Sequence, residues 1–241
     1  MGSDLLEDDE VSALCDRCAA QAGIDLRRLL TTAGEDELRL TQNAQPALCF
    51  MGKAMADAVP AGTSSMAAVL GLEAARIETA LAGIDEVWPA NYNTPTQTVI
   101  AGTTAGLERS TQALQAAGAK RVVPLNVSAA FHTPLMAPAA ELLRAALDRI
   151  EWRAPRVAVI ANLTGRPHQG ADRIPHVMEM QLRSPVQWAS CVASLVEMGC
   201  DAFVEVGPRR ALTGMMRELA PGKSAVAVGS PEAARELALA D

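Results

Sequence analysis

The sequence predicts an α/β protein in which a small βαββαβ unit is set into a larger α/β layer. Three observations carry that prediction. Between residues 64 and 127, short apolar runs alternate with amphipathic stretches in the order strand, helix, strand, strand, helix, strand. After residue 138, single helices and single strands alternate, as in a parallel sheet with helices packed on it. With 241 residues, 49% of them hydrophobic, the chain is long enough to bury a core in one large domain or in one domain carrying an insert.

In chain order, residues 4 to about 40 carry a helical pattern, with Leu5, Val11, Leu14 and Cys18 at helical spacing, Gly23 as a stop, and Leu26, Leu29 and Leu30 opening a second run. Ser65–Gly71 reads as a strand, Glu73–Ala82 as a helix, Val87–Asn91 and Gln97–Gly102 as strands, Thr103–Ala117 as a helix and Arg121–Val127 as a strand. Asn93-Thr94-Pro95-Thr96 reads as the hairpin turn, because Asn and Pro favour turns. This order is the ferredoxin-like signature. Pro138–Ile150 follows as a helix on Leu142, Leu143, Leu147 and Ile150, then Val157–Ala161 as a buried strand and Gln187–Met198 as a helix. Ala202–Val206 and Ala225–Val228 are strands, with helices from about 210 to 219 and from about 231. The expected boundaries are 1–62 together with 128–241 for the larger part, and 63–127 for the insert.

Composition excludes several functions. The net charge of -7 argues against a general nucleic-acid binder, and the pairs Arg27/Arg28 and Arg209/Arg210 are too small to reverse it. No apolar run reaches a spanning length, and MGSDLLEDDE is acidic where a signal peptide is basic and then apolar. Gly2 does not make a myristoylation site, since position 6 is Leu. Five cysteines (15, 18, 49, 191 and 200) form no small-domain disulfide framework, which fits a reducing, cytoplasmic compartment. Cys15-Asp16-Arg17-Cys18 has the redox spacing without the preceding strand that such chemistry needs. No metal site is expected.

Of three histidines, His168 and His176 fall in a polar segment and read as solvated loop residues. His132 follows a predicted strand directly and precedes Thr133-Pro134, which starts a new element. A side chain at the C-terminal end of such a strand faces the crevice where α/β sheets bind ligands, and a histidine there can act as a general base. A hydrogen-bonded structural histidine is the competing reading.

Five stretches in a consistent order resemble the malonyl-CoA:acyl carrier protein transacylases. They are Thr41-Gln42-Asn43-Ala44-Gln45-Pro46-Ala47-Leu48, Asn91-Tyr92-Asn93 with Gln97-Thr98-Val99-Ile100-Ala101-Gly102, VSAAFHTPLM around His132, Ser184-Pro185-Val186-Gln187-Trp188, and Val204-Glu205-Val206-Gly207-Pro208 through Leu212-Thr213-Gly214. The resemblance implies an α/β-hydrolase-like large subdomain with a ferredoxin-like small one. It implies transfer of a malonyl group from malonyl-CoA to the phosphopantetheine thiol of acyl carrier protein, through an acyl-serine intermediate. It implies no cofactor, with malonyl-CoA and acyl carrier protein as partners of a monomer. By the same resemblance His132 matches the general base, Gln187 the position whose backbone carbonyl orients that base, and Asn91 and Asn93 a loop near the substrate, although Asn93 also fits plain turn formation.

The resemblance breaks where the nucleophile belongs. The family serine lies in a G-H-S-x-G elbow, and no G-x-S-x-G occurs in this sequence. Met51-Gly52-Lys53-Ala54-Met55-Ala56-Asp57-Ala58-Val59-Pro60 resembles the family's later R-G-x-x-M-x-x-A-V-P, so the elbow segment and the arginine that reads the malonyl carboxylate are missing before it. The opening G-Q-G-S-Q strand is missing as well. Cys49, Ser64, Ser65 and Ser128 are poor replacements, being helix-like, loop or strand-end residues outside an elbow. Arg209-Arg210 stands where the family has Gly-Lys. The expectation is an intact small unit beside a large one with an unfilled slot in its sheet. The alternative reading is an inactive homologue that at most binds acyl carrier protein.

Overall fold

A computed structural model describes residues 58–60, 62–127, 129–148, 152–207 and 209–238, together with Ala13, Asp16 and Ala20. Apart from those three residues, which are helical, the pattern expected between 4 and 40, the stretch 41–57 with Cys49, and Ser128 lie outside the described residues.

The fold is mixed α/β, and its first half follows the expected order. Strand β1 (Ser64–Leu70), helix α1 (Ala74–Leu81), strands β2 (Val87–Thr94) and β3 (Gln97–Thr103), helix α2 (Thr104–Ala116) and strand β4 (Arg121–Pro124) build one four-stranded sheet in the order β2-β3-β1-β4. Every neighbouring pair in it is antiparallel.

The period-two alternation of β1 and β3 sorts side chains onto two faces. Ala67, Val69 and Ile100 pack with Ile77, Leu81 and Leu114 of the two helices. Val69, Ile77, Ile100 and Leu114 are fully buried there, each contributing roughly 1.5–3 kcal/mol by leaving water. Met66, Ala68, Val99 and Ala101 face the other way, with Ala90 of β2, and receive Ala130, Phe131 and Leu135. Small residues dominate that second face, so the chain around His132 can lie close against the sheet. Thr103 starts α2 by accepting a hydrogen bond from the Gly106 amide (3.1 Å), a side-chain N-cap.

The hairpin turn and the end of β4 differ from expectation. The hairpin turn is Pro95-Thr96 alone: Asn93 belongs to β2, beside an irregularity between Tyr92 and Thr94. β2 lies at the end of the sheet order, which is why Pro89 is tolerated in it. β4 stops at Pro124, because proline has no N–H to continue the ladder. Leu125 still donates to the Met66 carbonyl (2.9 Å), and the chain then leaves the sheet.

Beyond His132, a 3₁₀ turn (Pro134–Met136) runs into α3 (Ala137–Leu147), whose Leu143 and Leu147 are buried while Leu142 is exposed. The expected buried strand Val157–Ala161 reduces to β5 (Ile160–Ala161), paired antiparallel with β6 (Arg166–Pro167), and Val157 is 75% exposed. A second 3₁₀ turn (Ala171–Arg173) leads into α4 (Ile174–Leu182), a helix in the stretch read as a loop. Helix α5 (Trp188–Glu197), strand β7 (Ala202–Val206), helix α6 (Ala211–Leu219), strand β8 (Ser224–Val228) and helix α7 (Pro231–Ala238) follow near their expected positions. β7 and β8 pair in parallel as a two-stranded sheet, with Val206 83% and Val204 48% exposed. Parallel strands ordinarily have both faces covered, whereas among the described residues this pair stands as a two-stranded sheet of its own.

Candidate functional site

His132 sits in a tight turn eight residues past β4, not at a strand end. Its backbone is left-handed (φ 59°), a conformation uncommon for a side chain with a Cβ and several-fold enriched for histidine. The turn is pinned on both sides. The Ala130 amide donates to Ser64 Oγ (3.1 Å), and Thr133 Oγ1 donates back to the Ala130 carbonyl (2.7 Å). Ala130 and Thr133 are fully buried. Ser64 therefore anchors the turn from the start of β1, a structural use that accounts for this hydroxyl.

The ring contacts α4. His132 Nδ1 lies 2.9 Å from the main-chain oxygen of Gln181. A carbonyl oxygen can only accept, so Nδ1 carries the proton and Nε2 keeps its lone pair. This corrects the assignment of the orienting carbonyl to Gln187. The Gln187 carbonyl accepts from the Cys191 amide (2.9 Å) in the first turn of α5, and its amide donates to the Asn162 carbonyl (2.8 Å). Local chemistry separates the two glutamines. In a continuing helix the Gln181 carbonyl would accept from residue 185, but that residue is Pro185 and has no N–H. The Gln181 carbonyl is thus left for His132. The proline four residues on is the sequence signal that identifies it.

Burial pushes the His132 pKa below the ordinary histidine value, and the bond to the Gln181 carbonyl pushes the other way without prevailing. The neutral imidazole is thereby favoured. A neutral ring held as the Nδ1–H tautomer, with Nε2 unprotonated, is a general base set for use.

Segment 181–187 carries the site to β2. Val186 donates to the Ala90 carbonyl (2.8 Å) and accepts from the Tyr92 amide (2.8 Å), forming an isolated parallel bridge with Asn91. One short stretch thus touches His132 at Gln181 and Asn91 at Val186. Asn93 lies two residues farther along β2, half-buried. Tyr92 between them donates its hydroxyl to Glu78 Oε1 of α1 (2.6 Å), and burial, followed by that carboxylate, raises its pKa far above the ordinary phenol range.

The remaining candidates have plainer roles. Cys191 is buried, its Sγ near the Ala161 carbonyl (3.8 Å) and Asn162 Oδ1 (3.6 Å), and burial pushes its thiol up, away from nucleophilic use. His176 is exposed on α4, 3.5 Å from Glu179, rather than in a loop, and His168 is half-buried just after β6. Glu205 of the Val-Glu-Val-Gly-Pro stretch caps α6 from a distance, accepting from the Leu212 amide (3.1 Å), the Thr213 amide (2.7 Å) and the Thr213 hydroxyl (2.6 Å). Desolvation raises its pKa, but these bonds and one from the Ala211 amide outweigh it and leave the carboxyl below the ordinary glutamate value. Among the described residues no cluster of His, Cys, Asp or Glu could hold a metal ion, and no helix is long and apolar enough to cross a membrane.

The model of the acyl transferase domain matches residues 58–236, which include every residue of this site. The chain belongs to the acyl transferase domain family. Within it, the chain is 40% identical over 185 residues to the malonyl CoA-acyl carrier protein transacylase of Escherichia coli (strain K12), covering 76% of this chain and 60% of that protein. It is 36% identical over 185 residues to that of Bacillus subtilis (strain 168), covering 75% and 58%. The chain therefore spans about 60% of the length of the curated relatives it matches. Among solved structures, a malonyl-transacylase in complex with its type II PKS acyl-carrier protein superposes with a TM-score of 0.91 at 30% identity, over 100% of this chain and 95% of that one. The malonyl-CoA:acyl carrier protein transacylase of Xanthomonas oryzae pv. oryzae gives 0.90 at 29%, over 100% and 93%. The structural match runs almost the full length of these neighbours, whereas the sequence match to the curated relatives is confined to about three-fifths of them.

Proposed function

We propose that this chain serves transfer of a malonyl group from malonyl-CoA to the phosphopantetheine thiol of acyl carrier protein, with His132 as the general base. The observation that carries the reading is His132 Nδ1 held 2.9 Å from the main-chain oxygen of Gln181, which fixes the proton on Nδ1 and leaves Nε2 to act. Nε2 takes the proton of the phosphopantetheine thiol as its sulfur bonds to the thioester carbonyl carbon of malonyl-CoA. The imidazolium is then steadied by the same carbonyl, and its Nε2 proton passes to the departing CoA thiolate. Asn91, whose backbone bridges to Val186, is the proposed substrate contact, with Asn93 beyond it. The reading includes an α/β-hydrolase-like large subdomain (1–62 and 128–241), a ferredoxin-like small one (63–127), no cofactor, a monomer, and a cytoplasmic setting.

A second reading is favoured by one observation, the absence of any G-x-S-x-G in the sequence. Under it, the chain is an inactive homologue that at most binds acyl carrier protein. Incubation with labelled malonyl-CoA and holo acyl carrier protein, followed by intact mass of both proteins, separates the two. The transfer reading predicts malonyl on the carrier, lost in His132→Ala. An unlabelled carrier would overturn it. Retained carrier binding would then leave the second reading standing, and a flat binding titration would strip carrier binding from it.

A further inference from the structure

We infer that the side-chain carboxamide of Gln181 sets how readily His132 accepts a proton, in addition to the orienting bond made by its main-chain carbonyl. The inference rests on the reading of His132 as a base. Gln181 Nε2 lies 3.1 Å from the Ser184 carbonyl oxygen, to which it donates, and 3.4 Å from His132 Nδ1. Its Oε1 is buried with no hydrogen-bond partner among the described residues.

Rotating the carboxamide by half a turn would place Oε1 against the Ser184 oxygen, two acceptors facing each other. Ser184 therefore selects the orientation, and the donor end of the amide is held toward the ring. Nδ1 already gives its proton to the Gln181 carbonyl, so the amide presents the positive end of its dipole to an N–H group. That contact disfavours imidazolium more than neutral imidazole. The buried, unpaired Oε1 is a cost the fold carries in this orientation.

Among the described residues no ionised group near the ring does this work. On α4, Glu179 is engaged by Arg183 (3.0 Å) and by His176 (3.5 Å), and on α3 Glu141 is exposed and Arg144 bonds Asp148 (2.8 Å). The sheet face packed beneath the turn consists of Met66, Ala68, Ala90, Val99 and Ala101 and is uncharged. Gln181 is thus a positioning residue that acts through His132.

The test is the NMR titration of the His132 imidazole in the full chain, for the unaltered protein, Gln181→Met and Gln181→Glu, all of which keep the main-chain carbonyl. Gln181→Met should raise the His132 midpoint by about half to one pH unit, and Gln181→Glu by more, with the proton still on Nδ1. A midpoint unmoved in Gln181→Met overturns the inference, even if the carboxylate of Gln181→Glu raises it. Should Gln181→Met not fold, Gln181→Asn draws the amide back from the ring and must raise the midpoint too. A merely structural glutamine would change the urea midpoint and leave the titration where it was. Finding Nε2–H in the unaltered protein would instead refute the base reading itself, whatever the variants do.

Discussion

Placing alanine at position 102 would put a Cβ 2.1 Å from the Glu86 carbonyl oxygen and 2.8 Å from Val87 Cα. Both are backbone atoms and neither can swing aside. Glu86 is already left-handed (φ 63°), so the strand entry has little freedom to retreat. Relief requires β3 to move off the start of β2, loosening the Thr103 amide bond to the Glu86 carbonyl (3.0 Å) and the pairing of Val87 with Gly102. Overpacking of this kind costs about 1–3 kcal/mol, and loss of one backbone hydrogen bond about 1 kcal/mol more. The expected loss for Gly102→Ala is therefore about 2–4 kcal/mol. Gly214→Ala is the matched control. It is exposed in α6 with nothing within 4 Å of the added Cβ, and should stabilise by about 0.5–1 kcal/mol. Urea denaturation followed by circular dichroism, with amide exchange read along β2 and β3, gives both signs. A Gly102→Ala protein within about 0.5 kcal/mol of the parent would refute the close-approach argument.

Three further outcomes follow from the same structure. Glu205→Gln weakens the cap of α6 and should cost about 1 kcal/mol at neutral pH. Because the folded pKa of Glu205 lies below its ordinary value of 4.5, its contribution is present above that pH and lost as pH falls through it, so the parent and Glu205→Gln should converge in acid urea melts. His132 has a folded pKa below 6.5, so the unfolded chain binds more protons below neutrality. Stability should therefore decline as pH falls from about 6.5, and His132→Gln should flatten that decline in urea midpoints measured across the range. Tyr92 is the one tyrosine, so phenolate absorbance reports it alone. It should ionise well above a free tyrosine in the native chain, and at lower pH but still above the ordinary value once Glu78→Gln removes the carboxylate, because burial is the larger cause.

Where the sequence reading succeeded, the signal was local. The alternation of Ala67, Val69, Val99, Ile100 and Ala101 and the periodicity of Ile77, Leu81 and Leu114 depend on nothing outside their own segments, and the order of β1 through β4 follows from them. It failed where the outcome depends on what lies opposite. Val157–Ala161 has the composition of a buried strand, yet Val157 and Val159 are exposed because nothing described covers them. Helix α4 was hidden by His176, Glu179 and a proline, although Pro175 in its first turn, with Ile174, Val177, Met178 and Leu182 at helical spacing, is a helix-start pattern. His132 was legible from its motif, but its partner was not. Two glutamines flank Ser184-Pro185-Val186, and only the missing N–H of Pro185 tells which carbonyl is unclaimed.

Acyl transfer by this chain turns on the state of one imidazole. Nitrogen-15 spectra of the His132 ring at neutral pH, in the full chain, measure it directly. A neutral ring with the proton on Nδ1 and a bare Nε2, titrating below pH 6.5, is the predicted result. A ring protonated on Nε2, or one that is imidazolium at neutral pH, would contradict the assignment of His132 as the base of acyl transfer.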